Sequence, residues 1–367
     1  METLISILRE VRDPRDCNAR HDCAAMLFTA LLATLCGCKS CVEIADFCAA
    51  HVEELAEIVE LAHGAPSHDS FSRLFRLLDP EEMAKAFLSF AQALRDGLDL
   101  GPAKGVVAVD GKRLRRGYAR GKAHFPPLMI SVWDAETRLS LAARVGEGGD
   151  EVAGTLKALK SLDLKGCTVT ADALHCHPAM AAAIRARKGH YALKLKANNA
   201  PLYEMARQAF ERAEAKGGAA FAETQETGHD RHEFRRMSLA PAAETGANLP
   251  GLTLFGRMQS RRSPPNREGK ERTYYVAFSQ RCSPAEALCI VRTHWDVENA
   301  LHWPLDVIFR EDDARIRKDN APANLAIVRR IAKDILQSCP DNISVARKMK
   351  RASWSKEYLF GLFAHMR

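Results

Sequence analysis

Asp110, Asp172 and Glu298 are the side chains of this 367-residue chain whose type and spacing point most directly to chemistry. Cutting a phosphodiester with water or a 3′-hydroxyl calls for two divalent cations about 4 Å apart, one to activate the nucleophile and one to steady the leaving oxygen. Hard cations such as Mg²⁺ choose carboxylate oxygens and keep several waters, so three acids suffice when DNA supplies the remaining ligands. Asp110 and Asp172 stand 62 positions apart, and Glu298 follows 126 positions later. Three acids among 46 carry little weight alone, since an acid at a strand end is commonly a solvated cap. Their placement decides the matter.

The elements that must position them can be read from periodicity. Residues 105–110 are a short β-branched run ending on an acid, as a buried central strand would be. Residues 127–134 and 139–145 follow as strands, 151–162 as a helix, and 166–172 as another run ending on an acid. A helix over 178–187 and a strand over 190–195 complete the series. Three strands, helix, strand, helix, strand is the order of a ribonuclease H-like α/β core, with both acids at strand ends near its middle. Residues 201–282 read differently: one helix at 202–216, then strands at 234–239, 252–260 and 272–278 broken by Pro and Gly. Ser283-Pro284-Ala285-Glu286 combines a capping box with Pro at the first helical position. The helix it starts should run through Glu298 toward Pro304 and kink or end there.

Before this core, residues 1–98 read as helical throughout, with caps at Ser67 and at Asp79-Pro80. After it come an amphipathic helix at 324–337 and a basic tail. The expected organisation is a helical N-terminal domain (1–98), a catalytic core (99–200 plus 283–345), a β-rich insertion (201–282) and a basic C-terminal tail (346–367). Charge divides along the same lines. The first hundred residues hold 9 basic and 17 acidic side chains, a net −8, and the remainder carries +15 of the total +7. A polyanion partner would meet that remainder. The longest uncharged apolar run, 24–38, is too short to span a bilayer, which needs about 20 residues. The first residues lack the features of a signal peptide, so a cytoplasmic protein with free thiols at its eleven cysteines is expected, at the nucleoid when acting.

The residues then become recognisable. The chain resembles the H-repeat-associated, ISAs-type insertion-sequence transposases of the DDE superfamily, nearly end to end. The resemblance rests on Pro66-Ser-His-Asp-Ser-Phe71, Leu78-Asp-Pro80, Val109-Asp-Gly-Lys112 and Thr170-Ala-Asp-Ala173. Most specific is His294-Trp-Asp-Val-Glu-Asn-Ala-Leu-His-Trp303, followed by Phe309-Arg-Glu-Asp312 and Asn320-Ala-Pro-Ala-Asn-Leu325. It departs from relatives in Arg116, in Lys196-Ala-Asn-Asn199 and in Pro304, none of them a metal ligand. The resemblance implies a ribonuclease H-like fold and Mg²⁺, with Mn²⁺ as substitute, two per site, at Asp110, Asp172 and Glu298. It implies cleavage of double-stranded DNA at inverted-repeat ends, strand transfer into target DNA, and a homodimer on paired ends. The alternatives are a silent or host-adopted DNA-binding derivative, and a nuclease or resolvase on the same core.

Other groups support or compete. Basic clusters at 112–122, 257–272 and 347–351 suggest a track for DNA, though each alone is commonly a solvated face. The expected DNA contacts are Lys112, Arg113, Arg115, Arg116, Lys196, Arg261, Arg262, Arg267, His294, Trp295, Asn299, His302 and Trp303. His294, Glu298 and His302 share one helix face, so the imidazoles either orient the carboxylate, touch phosphate, or fill a cleft; Zn²⁺ ranks behind these. Trp295 and Trp303 are core residues or stacking platforms for an unpaired base. Cys36, Cys38 and Cys41 read as buried thiols rather than a metal knuckle. His175-Cys176-His177, just past Asp172, packs in a loop or lines the site.

Overall fold

The computed structural model describes residues 1–366 except 118–125, 147–148, 197–198, 229–230, 244–245, 247 and 265–268. Arg267 therefore lies outside the described residues. Six helices lead: α1 (Glu2–Arg9), α2 (Cys23–Leu35), α3 (Cys41–Ala50), α4 (Val52–Ala56), α5 (His68–Leu77) and α6 (Pro80–Gly97). Their caps are those the sequence announces. The Ser67 side chain accepts from Ser70 N–H, and Asp79 accepts from Glu81 N–H with Pro80 at the first position. The uncharged run becomes α2, all thirteen residues of which are buried.

The sheet and its covering helices follow in the expected order: β1 (Gly105–Arg113), β2 (Leu128–Asp134), β3 (Leu139–Val145), α7 (Glu151–Lys160), β4 (Cys167–Ala171), α8 (Pro178–Ala186), β5 (His190–Leu195) and α9 (Ala200–Ala215). Then come β6 (Ala220–Gly228), β7 (Arg231–Pro241), β8 (Leu254–Ser263), β9 (Glu271–Phe278), α10 (Pro284–His294), α11 (Ala321–Ser338), α12 (Val345–Trp354) and α13 (Lys356–Gly361). All nine strands form one sheet, ordered β3-β2-β1-β4-β5-β9-β8-β7-β6. Strands β1, β4 and β5 run parallel, and the flanking pairs are antiparallel. This is the ribonuclease H-like arrangement, extended through β9 by the strands of the insertion.

Alternation along the strands sorts side chains to two faces. Val107, Val109, Val169, Leu193 and Leu195 pack on α7, α8 and α9. The opposite face of β1–β3, with Ala108, Met129 and Trp133, packs on the N-terminal helices and α11. Further along, Ala192, Val276 and Phe278 pack on Ala287, Leu288 and Val291 of α10. Even-numbered Asp110, Lys112, Thr170 and Lys194 belong to the α10 side, and that is where the acids meet.

Four expectations need correction. Strand β1 does not end on Asp110 but continues to Arg113, because β2 keeps pairing with it: Gly111, Lys112 and Arg113 lie opposite Ile130, Met129 and Leu128. The polar strand β6 was not anticipated; it is an exposed edge whose partners are charges, Glu223 with Arg236 among them, so no apolar alternation marks it. The α10 helix stops at His294, and Glu298–His302 and Pro304–Ile308 form two π-helical turns rather than continuing it. Helix α11 is longer than 324–337 and buried on every side over Ala321–Leu336, since it lies between the helical region and the sheet.

Candidate active site

Asp110 and Asp172 are placed by strand register. In the parallel pair, Ala108 of β1 lies beside Thr170 of β4. Two residues on from that pair come Asp110, still within β1, and Asp172, the first residue past the end of β4. Strand β4 leaves the sheet after Ala171 whereas β1 runs on, so the acids flank a notch at the carboxyl ends of parallel strands. That is where open α/β sheets place their ligands.

Glu298 arrives from the opposite side on the first π turn. Pro304 has no N–H, and its ring cannot sit beside the carbonyl of Ala300 in a regular α-helix. The wider turns on either side relieve that clash, and such turns favour functional sites. His302 lies four residues beyond Glu298: its Nδ1 is 3.3 Å from Glu298 Oε2 and 3.3 Å from Asp110 Oδ2. The imidazole is buried, and its Nε2 has no hydrogen-bond partner. Among the described residues, Asp110, Glu298 and His302 are the one group of three whose donor atoms converge, all within 4.8 Å. Two carboxylates and an imidazole, one of whose nitrogens lacks a hydrogen-bond partner, fit a divalent cation.

The electrostatics fit too. Burial pushes the Asp110 carboxyl up to about 6; His302 opposes this, and Glu298, Glu151 and Asp172 add to it. Glu298 is held below its ordinary value, first by its contact with His302. A buried acid surrounded by acids is a costly arrangement that a cation relieves.

Several expected DNA contacts prove to be spent within the protein. Lys112 is only 9% exposed, and its ammonium lies among Asp306, Glu311 and Asp312 at 2.7, 3.2 and 2.9 Å. Its ammonium is thus held by three carboxylates rather than turned out to meet a phosphate, against the expectation. His294 Nδ1 meets Thr170 Oγ1 at 3.0 Å, so it braces the end of α10 against β4, and burial lowers its pKa. Arg115 and Arg116 are exposed but paired with Asp312 and Asp313. Arg262 is paired with Glu233 at 2.6 Å across the β7–β8 ladder, where Arg261 also lies. Arg113, Lys196 and Asn299 are exposed. Trp295 and Trp303 are each 55% exposed and so are not core.

Two neighbours, Lys194 and Glu151, escaped sequence reading, and a third, His175, was read as packing in a loop or lining the site. Lys194 lies 3.5 Å from Asp172 and over the rings of Tyr274 and Trp295; the alternation Lys194-Leu195-Lys196 was the available signal. Glu151 comes from the opposite layer, its carboxylate over Gly111 so closely that a Cβ there would lie 2.6–2.9 Å from it. His175, almost fully buried, holds Glu151 at 3.1 Å through Nε2. No sequence spacing links Glu151 with His175; only the fold does. Elsewhere, all eleven cysteines are free; Cys41 is buried and Cys36 and Cys38 are half-buried, and burial raises Cys36, Cys38 and Cys41 to about 12, 11 and 11.

With the geometry in hand, the class is clear. Residues 101–332 match the family described as Transposase DDE domain, and residues 5–91 match one described as DDE_Tnp_1-associated. The chain belongs to the DDE transposase family. It is 26% identical to the "H repeat-associated putative transposase YhhI" of Escherichia coli K12, over 98% of this chain and 96% of that protein. It is 32% identical to an uncharacterized protein encoded in the dhlA 3′ region of Xanthobacter autotrophicus, over 72% of this chain and 91% of that one. A cryo-EM structure of piggyBac transposase in a synaptic complex with hairpin DNA aligns with 98% of this chain and 77% of its own, at a TM-score of 0.45 and 13% identity. At that score it adds nothing to the assignment. The protein is a DDE transposase that works with divalent metal and DNA, and no described helix is long and apolar enough to cross a membrane.

Proposed function

We propose that this transposase cuts double-stranded DNA at insertion-sequence ends and joins the freed 3′-hydroxyls to target DNA, with Asp110, Asp172 and Glu298 holding two Mg²⁺ ions and accepting Mn²⁺ in their place. Bound there, the cations would sharpen the attacking hydroxyl and take up charge on the leaving oxygen. The observation that carries the reading is the convergence of Asp110 and Glu298 on His302, with Asp172 just past the end of the neighbouring strand β4. Asp110 would be the ligand common to both cations, with Asp172 and Glu298 each holding one. His302 joins them from within the π turn. Lys194, over the rings of Tyr274 and Trp295 and beside Asp172, would meet the scissile phosphate. The exposed faces of Trp295 and Trp303 receive bases unpaired near the cut.

The catalytic core in this reading is 99–200 with 283–345. The β-rich 201–282 segment carries flanking duplex, with Arg113, Lys196, Arg261 and Asn299 on the path. Two copies act on paired ends in the cytoplasm. Asp110→Asn, Asp172→Asn and Glu298→Gln each abolish metal-dependent cleavage of duplex bearing the inverted repeats that flank the gene. Each leaves duplex binding in EDTA within about twofold, ~0.4 kcal/mol, of the parent. A variant that still cuts at near-parental rate removes that acid from the site, and cleavage of branched DNA without any joining turns the reading toward a nuclease.

A further inference from the structure

Lys112 stands two residues beyond Asp110 on the same face of β1, and every contact it makes leads to the segment that carries Glu298. Its Nζ donates to Asp312 Oδ1 at 2.9 Å and forms ion pairs with Asp306 Oδ1 at 2.7 Å and Glu311 Oε2 at 3.2 Å. Asp306 lies in the second π turn, eight residues after Glu298. Glu311 is fully buried, and its other oxygen accepts from Arg330 Nη1 at 2.8 Å, so α11 anchors the far side. Arg330 in turn reaches Ser131 Oγ at 3.3 Å, directly opposite Asp110 in the β1–β2 ladder. The chain of contacts thus closes on itself: β1, Lys112, the acidic turn, α11, β2.

We propose that Lys112 is a positioning residue of the metal centre, setting the separation of Asp110 and Glu298 by tying strand β1 to the π-helical segment. This rests on the reading of Asp110 and Glu298 as metal ligands. The need for such a tie follows from the segment itself. Glu298–His302 and Pro304–Ile308 lack α-helical geometry, and α10 ends four residues before Glu298, so no regular element carries that acid rigidly. Two carboxylates that share a cation must be set to within about 0.5 Å. Without the ammonium, Asp306, Glu311 and Asp312 would face one another with Arg115, Arg329 and Arg330 as the basic groups left near them, and their repulsion would push the segment from β1.

The test is Mn²⁺ binding by the full-length, DNA-free chain, titrated by calorimetry or by electron paramagnetic resonance. Lys112→Met shifts the midpoint roughly tenfold or more to higher Mn²⁺, Lys112→Arg recovers part of the loss, and Asp306→Asn moves it in the same direction by less. Duplex affinity in EDTA and its salt slope stay parental for all three. Glu81→Gln, which breaks the ion pair with Arg144 on a different part of the sheet, serves as the control: it lowers stability and leaves the midpoint in place. An unchanged midpoint in folded Lys112→Met overturns the proposal, as does a shift of equal size in Glu81→Gln. A drop in duplex affinity with a shallower salt slope does so too, since it marks Lys112 as a phosphate contact. Should Lys112→Met fail to fold, an unchanged midpoint in Asp306→Asn overturns it instead. If the parent chain binds no Mn²⁺, or Asp110→Asn binds it equally well, the fault lies with the metal site rather than with Lys112.

Discussion

Asp110 carries a proton more readily than an ordinary carboxylate because burial and the neighbouring acids penalise its charge, and this has a measurable sign. Its pKa rises from 3.8 in the unfolded chain to about 6 in the folded one, so between those values the folded state binds more protons. Stability from this group is full below pH 4 and is lost as pH rises through about 6. Asp110→Asn should therefore be more stable than the parent at pH 7 in EDTA, by roughly 1–3 kcal/mol, and the difference should shrink by pH 4. Saturating Mg²⁺ should reverse the order, because only the carboxylate gains from the ion. Thermal unfolding of both chains with and without metal checks this; equal melting temperatures in EDTA at pH 7 would remove the buried-charge account. The same logic says that metal uptake releases a proton from Asp110 below about pH 6.

At the scale of elements, the segment after α10 is where geometry and chemistry are most closely joined. Phe309 N–H bonds to Pro304 C=O, an i to i+5 contact that belongs to a π turn. Replacing Pro304 by Ala restores a donor and lets the chain close to α spacing, which removes an intrinsic helix penalty of about 3 kcal/mol. Closing would also rotate His302 and Asp306 relative to Glu298. Pro304→Ala should keep or raise the melting temperature while cleavage falls roughly tenfold, ~1.4 kcal/mol in the barrier. Parental cleavage in a stabilised variant would show that the wide turns are incidental. This segment also marks the limit of what the sequence discloses. Caps at Ser67, Asp79 and Ser283, the strand runs around both aspartates, and the Glu298 string were legible because each depends on neighbours within a few residues. The stopping of α10 at His294 comes ten residues before Pro304, where no local breaker marks it, and the sequence placed the interruption at Pro304 itself. Edge strand β6 has no core to imprint a pattern. The Glu151–His175 contact joins two layers, and Lys112 looked like a DNA contact because its three acids lie some two hundred residues away.

Over the whole molecule, the charge divide and the packing divide do not coincide. The acidic first hundred residues suggest a detachable module, and the +15 of the remainder suggests that DNA affinity would survive its removal. Yet one apolar cluster runs from Leu4 and Phe28 through Phe71 and Phe87 to Ala108, Trp133, Ile327 and Met366. Buried polar contacts cross the same boundary: Asn324 Nδ2 donates to Phe75 C=O and Leu78 C=O at 2.9 Å, and Arg95 pairs with Asp134 at 2.8 Å. The amino terminus itself donates to Met366 C=O. Removing residues 1–98 would strip α11 and one face of β1–β3 of their cover, exposing side chains that each gain about 1.5–3 kcal/mol from burial, against a total stability of about 5–15 kcal/mol. It would leave Asp134 as a buried charge without its Arg95 partner as well. The chain of residues 99–367 should therefore be insoluble or should unfold without a cooperative transition. Its failure to bind DNA would then say nothing about which surface touches DNA. Charge reversal at exposed Arg113 and Lys196 in the full-length chain is the cleaner probe, expected to weaken duplex binding and to lower the salt slope by about 1 for each phosphate no longer neutralised. A soluble 99–367 chain that melts cooperatively and binds duplex with the parental salt slope would show that the helical region is a module after all.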